Sequence, residues 1–210
     1  RVLFDHYFPG VLPGSPTAMP DIDLGQYFVA IAPAVVNAVL QNPVAAMEMA
    51  AVDQLHLQYN DFGELINGIV QSLLIHTVTA NDVVEAARGN PFDNSLVQYT
   101  GTNDDATLNA NVARLIADPQ ARRYQQNWYE PNGSIGGTPV ILLHTSRDPI
   151  VPEPLNNDKY ESLVTASGSS DFLLRRTVDR FGHCTLSPQE IFGNFGDLVF
   201  WAETGIKPAQ

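Results

Sequence analysis

Cysteine is nearly missing from this sequence: Cys184 is the single one in 210 residues. That excludes an internal disulfide, and no zinc-type Cys/His cluster exists; nothing else in the sequence implies a metal or organic cofactor. Positive charge is scarce too. Eleven Lys and Arg face twenty-three Asp and Glu, a formal net charge of −12. The only adjacent basic pairs are Arg122–Arg123 and Arg175–Arg176. Phosphate and anionic headgroups are bound by clustered Lys and Arg, so neither nucleic acid nor an anionic membrane is expected as the main partner. No uncharged apolar run reads as long enough to span a bilayer. The opening residues are not a basic region followed by an apolar stretch, so no signal peptide is expected. With no initiator Met either, the chain reads as a processed or truncated product. Repeats and low-complexity tracts are also lacking.

What is present is a core. The composition is 44% hydrophobic and only 16% charged, which excludes a disordered or coiled-coil chain and suits a packed domain. Residues 1–21 carry Pro9, Pro13, Pro16 and Pro20 with Gly10 and Gly14, and read as an ordered loop anchored by Phe4, Tyr7 and Phe8. Residues 22–130 read as a helical block. Helices are expected over about 24–40, kinked at Pro33, and over about 43–57, with Pro43 in the first turn. The clearest has Phe62, Leu65, Ile66, Ile69, Val70, Leu73 and Leu74 on one face. A short separate helix is expected over 80–88, capped by Thr79 and stopped by Gly89. Another is marked by Leu108, Val112, Leu115 and Ile116 and ends near Pro119.

The pattern changes across residues 131–210. After the glycines at 133, 136 and 137, Val140–Leu143 form a continuous apolar run, which predicts a strand buried on both faces. A helix over about 154–166 follows, then a second strand over 171–178. Strand, helix, strand is a right-handed crossover unit, so the two strands should be parallel. Ser187, Pro188 and Glu190 make a capping box for a closing helix, with Ile191, Phe195, Leu198, Val199 and Ala202 as its buried stripe. The expected class is therefore α/β: a helical block, then strand-helix-strand-helix with parallel strands.

Asp148 falls just past the first strand and His183 just past the second. Carboxyl ends of parallel strands share one edge of a sheet, where ligands and catalytic groups gather. A carboxylate bonded to one imidazole nitrogen fixes the tautomer and frees the other nitrogen to take a proton from a nucleophile. Asp158 and Asp179 are poorer acids for that role, one inside a helix and one nearer a strand. Asp148 also suits a turn, with Arg147 as neighbour, and His183 suits a loop histidine in a glycine-containing turn.

From Thr138 onward, "TPVILLHTSRDPIVP", a helix, "FLLRRTVDRFGHC" and a closing helix resemble the C-terminal end of an α/β-hydrolase. The resemblance puts the catalytic acid on Asp148 and the base on His183, and makes residues 22–130 the lid or cap. It implies a serine hydrolase acting through an acyl-enzyme on a small-molecule carboxylic ester, or an amide. The family's nucleophile elbow, usually G-x-S-x-G, is absent from these 210 residues, as are the strands and oxyanion loop that precede it. Ser15, Ser134 and Ser146 lack the elbow pattern. Cys184 adjoins His183 in the chain and is a poor candidate nucleophile. His6, His56, His76 and His144 have no comparable place, and Met47, Met49 and Phe62 suit packing between lid helices or an acyl pocket.

The expectation is thus a C-terminal α/β-hydrolase portion, inactive alone, that docks on an N-terminal half from the same precursor or another chain. A noncatalytic binding relative and an acyltransferase of the same fold stay open. An elbow serine upstream separates the first, and product analysis with alcohol or thiol acceptors the second.

Overall fold

The computed structural model describes residues 1–53 and 59–210, the side chain of Asp53 excepted. The chain divides into two compact units, Arg1–Glu130 and Pro131–Gln210. The division falls next to the glycine-rich stretch where the pattern changes.

The first unit is helical. Its opening segment is not all loop: α1 spans Val2–Tyr7 and buries Leu3 and Phe4. Apolar Val2, Leu3 and Phe4 fit one turn, and an Arg1–Asp5 ion pair at 2.6 Å spans it. The segment joins the core of the helical unit and is no separate region.

The next helix is composite, with α2 at Leu24–Gln26, a π turn at Tyr27–Ile31 and α3 at Ala32–Gln41. Pro33 is the cause we assign. It has no N–H for the carbonyl of Val29 and its ring crowds the preceding turn, so the backbone widens there. The widened turn carries Tyr27, fully buried, whose hydroxyl donates to the carbonyl of Val70 at 2.5 Å. Leu24–Gln41 also corrects the expectation about membrane-length runs. It is 18 residues long with mean hydropathy 1.4, enough by length and composition to cross a membrane. Tyr27, Val35 and Val39 pack inward, whereas Phe28 and Val29 are exposed.

α4 spans Pro43–Asp53. The remainder of the expected helix, with His56, lies outside the described residues. α5 runs unbroken over Phe62–Ala87 and absorbs the separate helix expected at 80–88. Thr79 does not cap; its hydroxyl bonds back to the carbonyl of Ile75 at 2.7 Å, which keeps the helix going. Arg88, left-handed at φ 56°, ends it, and the Gly89 N–H closes on Val84.

α6 is shorter than the apolar spacing suggests, Asp105–Asn111. Asn94 holds the following strip extended, accepting from the Leu115 N–H at 2.5 Å and donating to the Ala113 carbonyl at 2.9 Å. Pro119 opens a helix instead of closing one: α7 spans Pro119–Trp128. A first-turn proline loses only an N–H that has no helical partner anyway. Its apolar stripe is too thin to read, with Ala121 the one buried side chain.

The second unit is mixed α/β. β1 (Val140–Arg147) pairs in parallel with β2 (Leu173–Phe181), and α8 (Asn157–Ala166) crosses between them. The register runs from Val140 opposite Leu173 to Thr145 opposite Val178, then jumps to Arg147 opposite Phe181. One extra residue therefore sits in β2, a bulge at the carboxyl end. Both strands run longer than the apolar stretches alone suggest.

α9 spans Pro188–Thr204, with the Ser187/Glu190 capping box formed and Gly205 left-handed at its end. Two expectations about burial fail here. β1 is mostly half-buried, and the closing helix does not bury its stripe. Ile191, Phe195, Val199 and Ala202 are exposed, while Trp201 is buried. Two strands are too narrow to cover a 17-residue helix, and polar contacts tie it to β2. Arg176 reaches Asn194 at 2.9 Å and Asp197 at 2.6 Å.

Candidate active site

The carboxyl ends of β1 and β2 converge on one pair of side chains. Asp148 is the first residue after β1, and Pro149 prevents the strand from continuing. Its Oδ1 accepts the backbone N–H groups of Ile150 and Val151, each at 2.9 Å. This turn fixes the carboxylate plane and leaves Oδ2 to face outward from its own loop. Asp148 is 3% exposed. A buried carboxylate is tolerable only with such donors around it.

His183 comes from the loop after β2. Gly182, at φ +115°, turns the chain there; a Cβ on it would meet Thr185 Cγ2 at 2.7 Å. Two bonds tie this loop to β1. The Gly182 N–H donates to the Arg147 carbonyl at 3.0 Å, and the buried Thr145 hydroxyl donates to the Gly182 carbonyl at 2.7 Å. Cys184, a non-glycine residue at φ 54°, completes the bend.

The result is an Asp148–His183 contact with Nδ1 to Oδ2 at 2.8 Å. With its proton on Nδ1, the ring donates to the carboxylate. The ring is 38% exposed while the carboxylate side chain is 4% exposed. Thus one end of the pair is anchored and the other meets solvent. A carboxylate held this way orients the imidazole and stabilises its protonated form, and Nε2 is left to exchange a proton.

The rival acids are committed elsewhere. Asp158 pairs with Arg175, and Asp179 pairs with Arg147 and accepts the Ser146 hydroxyl at 3.0 Å. Ser134 sits in an Asn132-bonded turn, and Ser15 in an isolated bridge with Ala18. Cys184 is exposed and free of any disulfide. None of these serines follows a strand into a helix.

Among the other histidines, His6 packs edge-on against Tyr7 and His76 against Phe92 in the helical unit. Met49 is buried in the helical core with Phe62 packed against it, and Met47 is exposed.

His144 is the residue that sequence reasoning puts at a strand end without saying what it faces. It is inside β1, and its Nε2 lies 4.0 Å from Asp148 Oδ2. The spacing of four residues from Asp148 was the available signal, but only the bend after β1 brings the two together. Among the described residues, no group of three or more His, Cys, Asp or Glu side chains gathers as a metal site. Comparison with family models, with curated proteins and with solved structures returns no match.

Proposed function

We propose that this chain supplies the acid and base of an α/β-hydrolase-type serine hydrolase. The observation that carries the reading is the Asp148–His183 pair at parallel strand ends, 2.8 Å apart, with the imidazole open to solvent. His183 Nε2 would take the proton from a serine hydroxyl as it attacks an ester or amide carbonyl. Asp148 Oδ2 would hold the Nδ1–H and stabilise the imidazolium. His183 then returns the proton to the leaving group, and a water repeats the cycle on the acyl-enzyme. Residues 22–130 serve as the lid. Its exposed apolar side chains, such as Phe28, Val44 and Met47, favour an acyl substrate with a hydrophobic part.

The serine comes from a partner, an N-terminal half of the same hydrolase. Two features support that. Among the described residues β1 pairs only with β2, which leaves its other edge open for a further strand. The exposed Ile191, Phe192 and Phe195 on α9 also call for cover. A noncatalytic binding protein of the same fold is the second reading, and the residue at the elbow position upstream decides between the two.

The test is reconstitution of the chain with a half carrying an elbow serine. Turnover of a nitrophenyl ester should appear, and His183→Ala should lower it by up to about a million-fold, the scale of a lost triad member. Undiminished turnover in His183→Ala would sink the reading. An upstream sequence with another residue at the elbow, and no labelling by a fluorophosphonate, would decide for the binding protein.

A further inference from the structure

Asp148 has more imidazole around it than the pair described above requires. His144 sits in β1 opposite Thr177, with its side chain 12% exposed. Its Nε2 is fully covered and has no hydrogen-bond partner. Nothing nearby satisfies it, since the Thr177 hydroxyl is turned to Glu153 Oε1 at 2.6 Å. The nearest acidic atom is Asp148 Oδ2 at 4.0 Å, the same oxygen that takes His183 Nδ1 at 2.8 Å. A buried polar nitrogen without a partner is rare, and this one has a buried carboxylate as its neighbour.

Two histidine side chains approach Asp148 Oδ2, His183 at 2.8 Å and His144 at 4.0 Å, while Oδ1 takes the Ile150 and Val151 amides.

We propose that His144 is a positioning residue, a second imidazole that donates Nε2–H to Asp148 Oδ2 from the strand side. The proposal rests on reading Asp148 and His183 as acid and base. His144 touches no reacting atom. It gives Oδ2 a second imidazole donor beside His183, so that oxygen stays aimed at the His183 ring while that ring gains and loses its proton. A partner one step removed from the chemistry acts by holding geometry, and small misplacements there cost rate.

The experiment is NMR on the chain with ¹⁵N-labelled histidine, bound to its partner half where one is needed. His144 should be the Nε2–H tautomer. A bare Nε2 with the proton on Nδ1 would overturn the proposal, because its lone pair would then face the carboxylate. The second arm compares His144→Gln, which keeps an amide donor, with His144→Phe, which keeps bulk and removes it. The low-field Nδ1–H resonance of His183 should survive in His144→Gln and broaden or vanish in His144→Phe. In the reconstituted enzyme His144→Phe should lower kcat about tenfold with KM unchanged, and His144→Gln should restore it. Equal spectra in both variants would refute the positioning role. The tautomer is read in the unsubstituted chain, so it answers even if His144→Phe fails to fold. It also answers separately from the hydrolase reading, which stands or falls with His183→Ala turnover.

Discussion

The two units of this chain solve the problem of burying apolar surface in opposite ways. The helical unit closes on itself. Phe4, Tyr27, Val35, Val39, Met49, Leu65 and Ile69 share one core, all nearly or fully buried, and residues from α1 to α6 feed it. The α/β unit has little core of its own: Val164, Leu173, Leu174 and Trp201 are its buried hydrophobic side chains. It instead exposes Phe192 at 73% and Phe195 at 62% on a well-capped helix. Helix–helix packing needs only more helices, which the first unit has. A sheet of two parallel strands has too few neighbours to be covered, and parallel sheets are normally buried on both faces. The unit that carries the Asp148–His183 pair is thus the one with the smaller core of its own.

The largest effect that would test this contrast is a cavity in the helical core. Ile69 is 1% exposed within the shared cluster. Ile69→Ala should destabilise by about 3 kcal/mol, the middle of the range for deleting a buried aliphatic side chain. Urea unfolding followed by circular dichroism measures it. A loss under about 1 kcal/mol would mean that the core is loose and that the contrast between the units is overstated.

A smaller effect concerns pH and again belongs to the helical unit. Burial, and to a lesser degree the positive charges of the terminal amine and of Arg1, push His76 down from 6.5 to about 4. The folded state therefore resists protonating a ring that the unfolded chain protonates readily. Stability from this group is complete above about pH 6.5 and is lost as pH falls from there toward 4. The ring is partly open to solvent, so screening reduces the effect to about 1–2 kcal/mol. His76→Gln should flatten the fall in stability between pH 6.5 and 4. An unchanged slope would show that other groups set it.

How much of this was legible in the sequence also divides along the two units. In the α/β unit the order of elements and the parallel pairing follow from apolar runs, breakers and the capping box, because those signals are local. Asp148 and His183 could be singled out because strand ends are where such signals stop. Burial was not legible: the stripe on α9 is apolar, yet nothing in a sequence says whether a covering surface lies in the same chain. His144 escaped for a related reason, since its approach to Asp148 depends on the bend after β1. In the helical unit the strong stripe of α5 was clear, but its boundaries were not. The rule that places threonine at a helix start ignores its option of bonding backward, the course Thr79 takes with Ile75. α7 was missed because a polar helix with one buried alanine leaves almost no periodic signal.

The smallest expected effect on stability is the most informative about the comparison. Phe195 is 62% exposed on α9, so it contributes little to the fold of this chain. Phe195→Ser should change unfolding stability by no more than about 0.5 kcal/mol, as for an exposed position away from the core. It should still change behaviour, because an exposed cluster with Ile191 and Phe192 invites association. Light scattering of the free chain should fall in the variant. Affinity for the proposed N-terminal half should weaken, since burying a phenylalanine is worth about 1.5–3 kcal/mol, or roughly ten- to a hundredfold in Kd. The two readouts move in opposite senses for solubility and for docking, which is the mark of a surface meant to be covered. If Phe195→Ser instead cost several kcal/mol of stability and left docking affinity unchanged, α9 would belong to the core of its own unit. The division between a self-contained helical unit and an open α/β unit would then have to be abandoned.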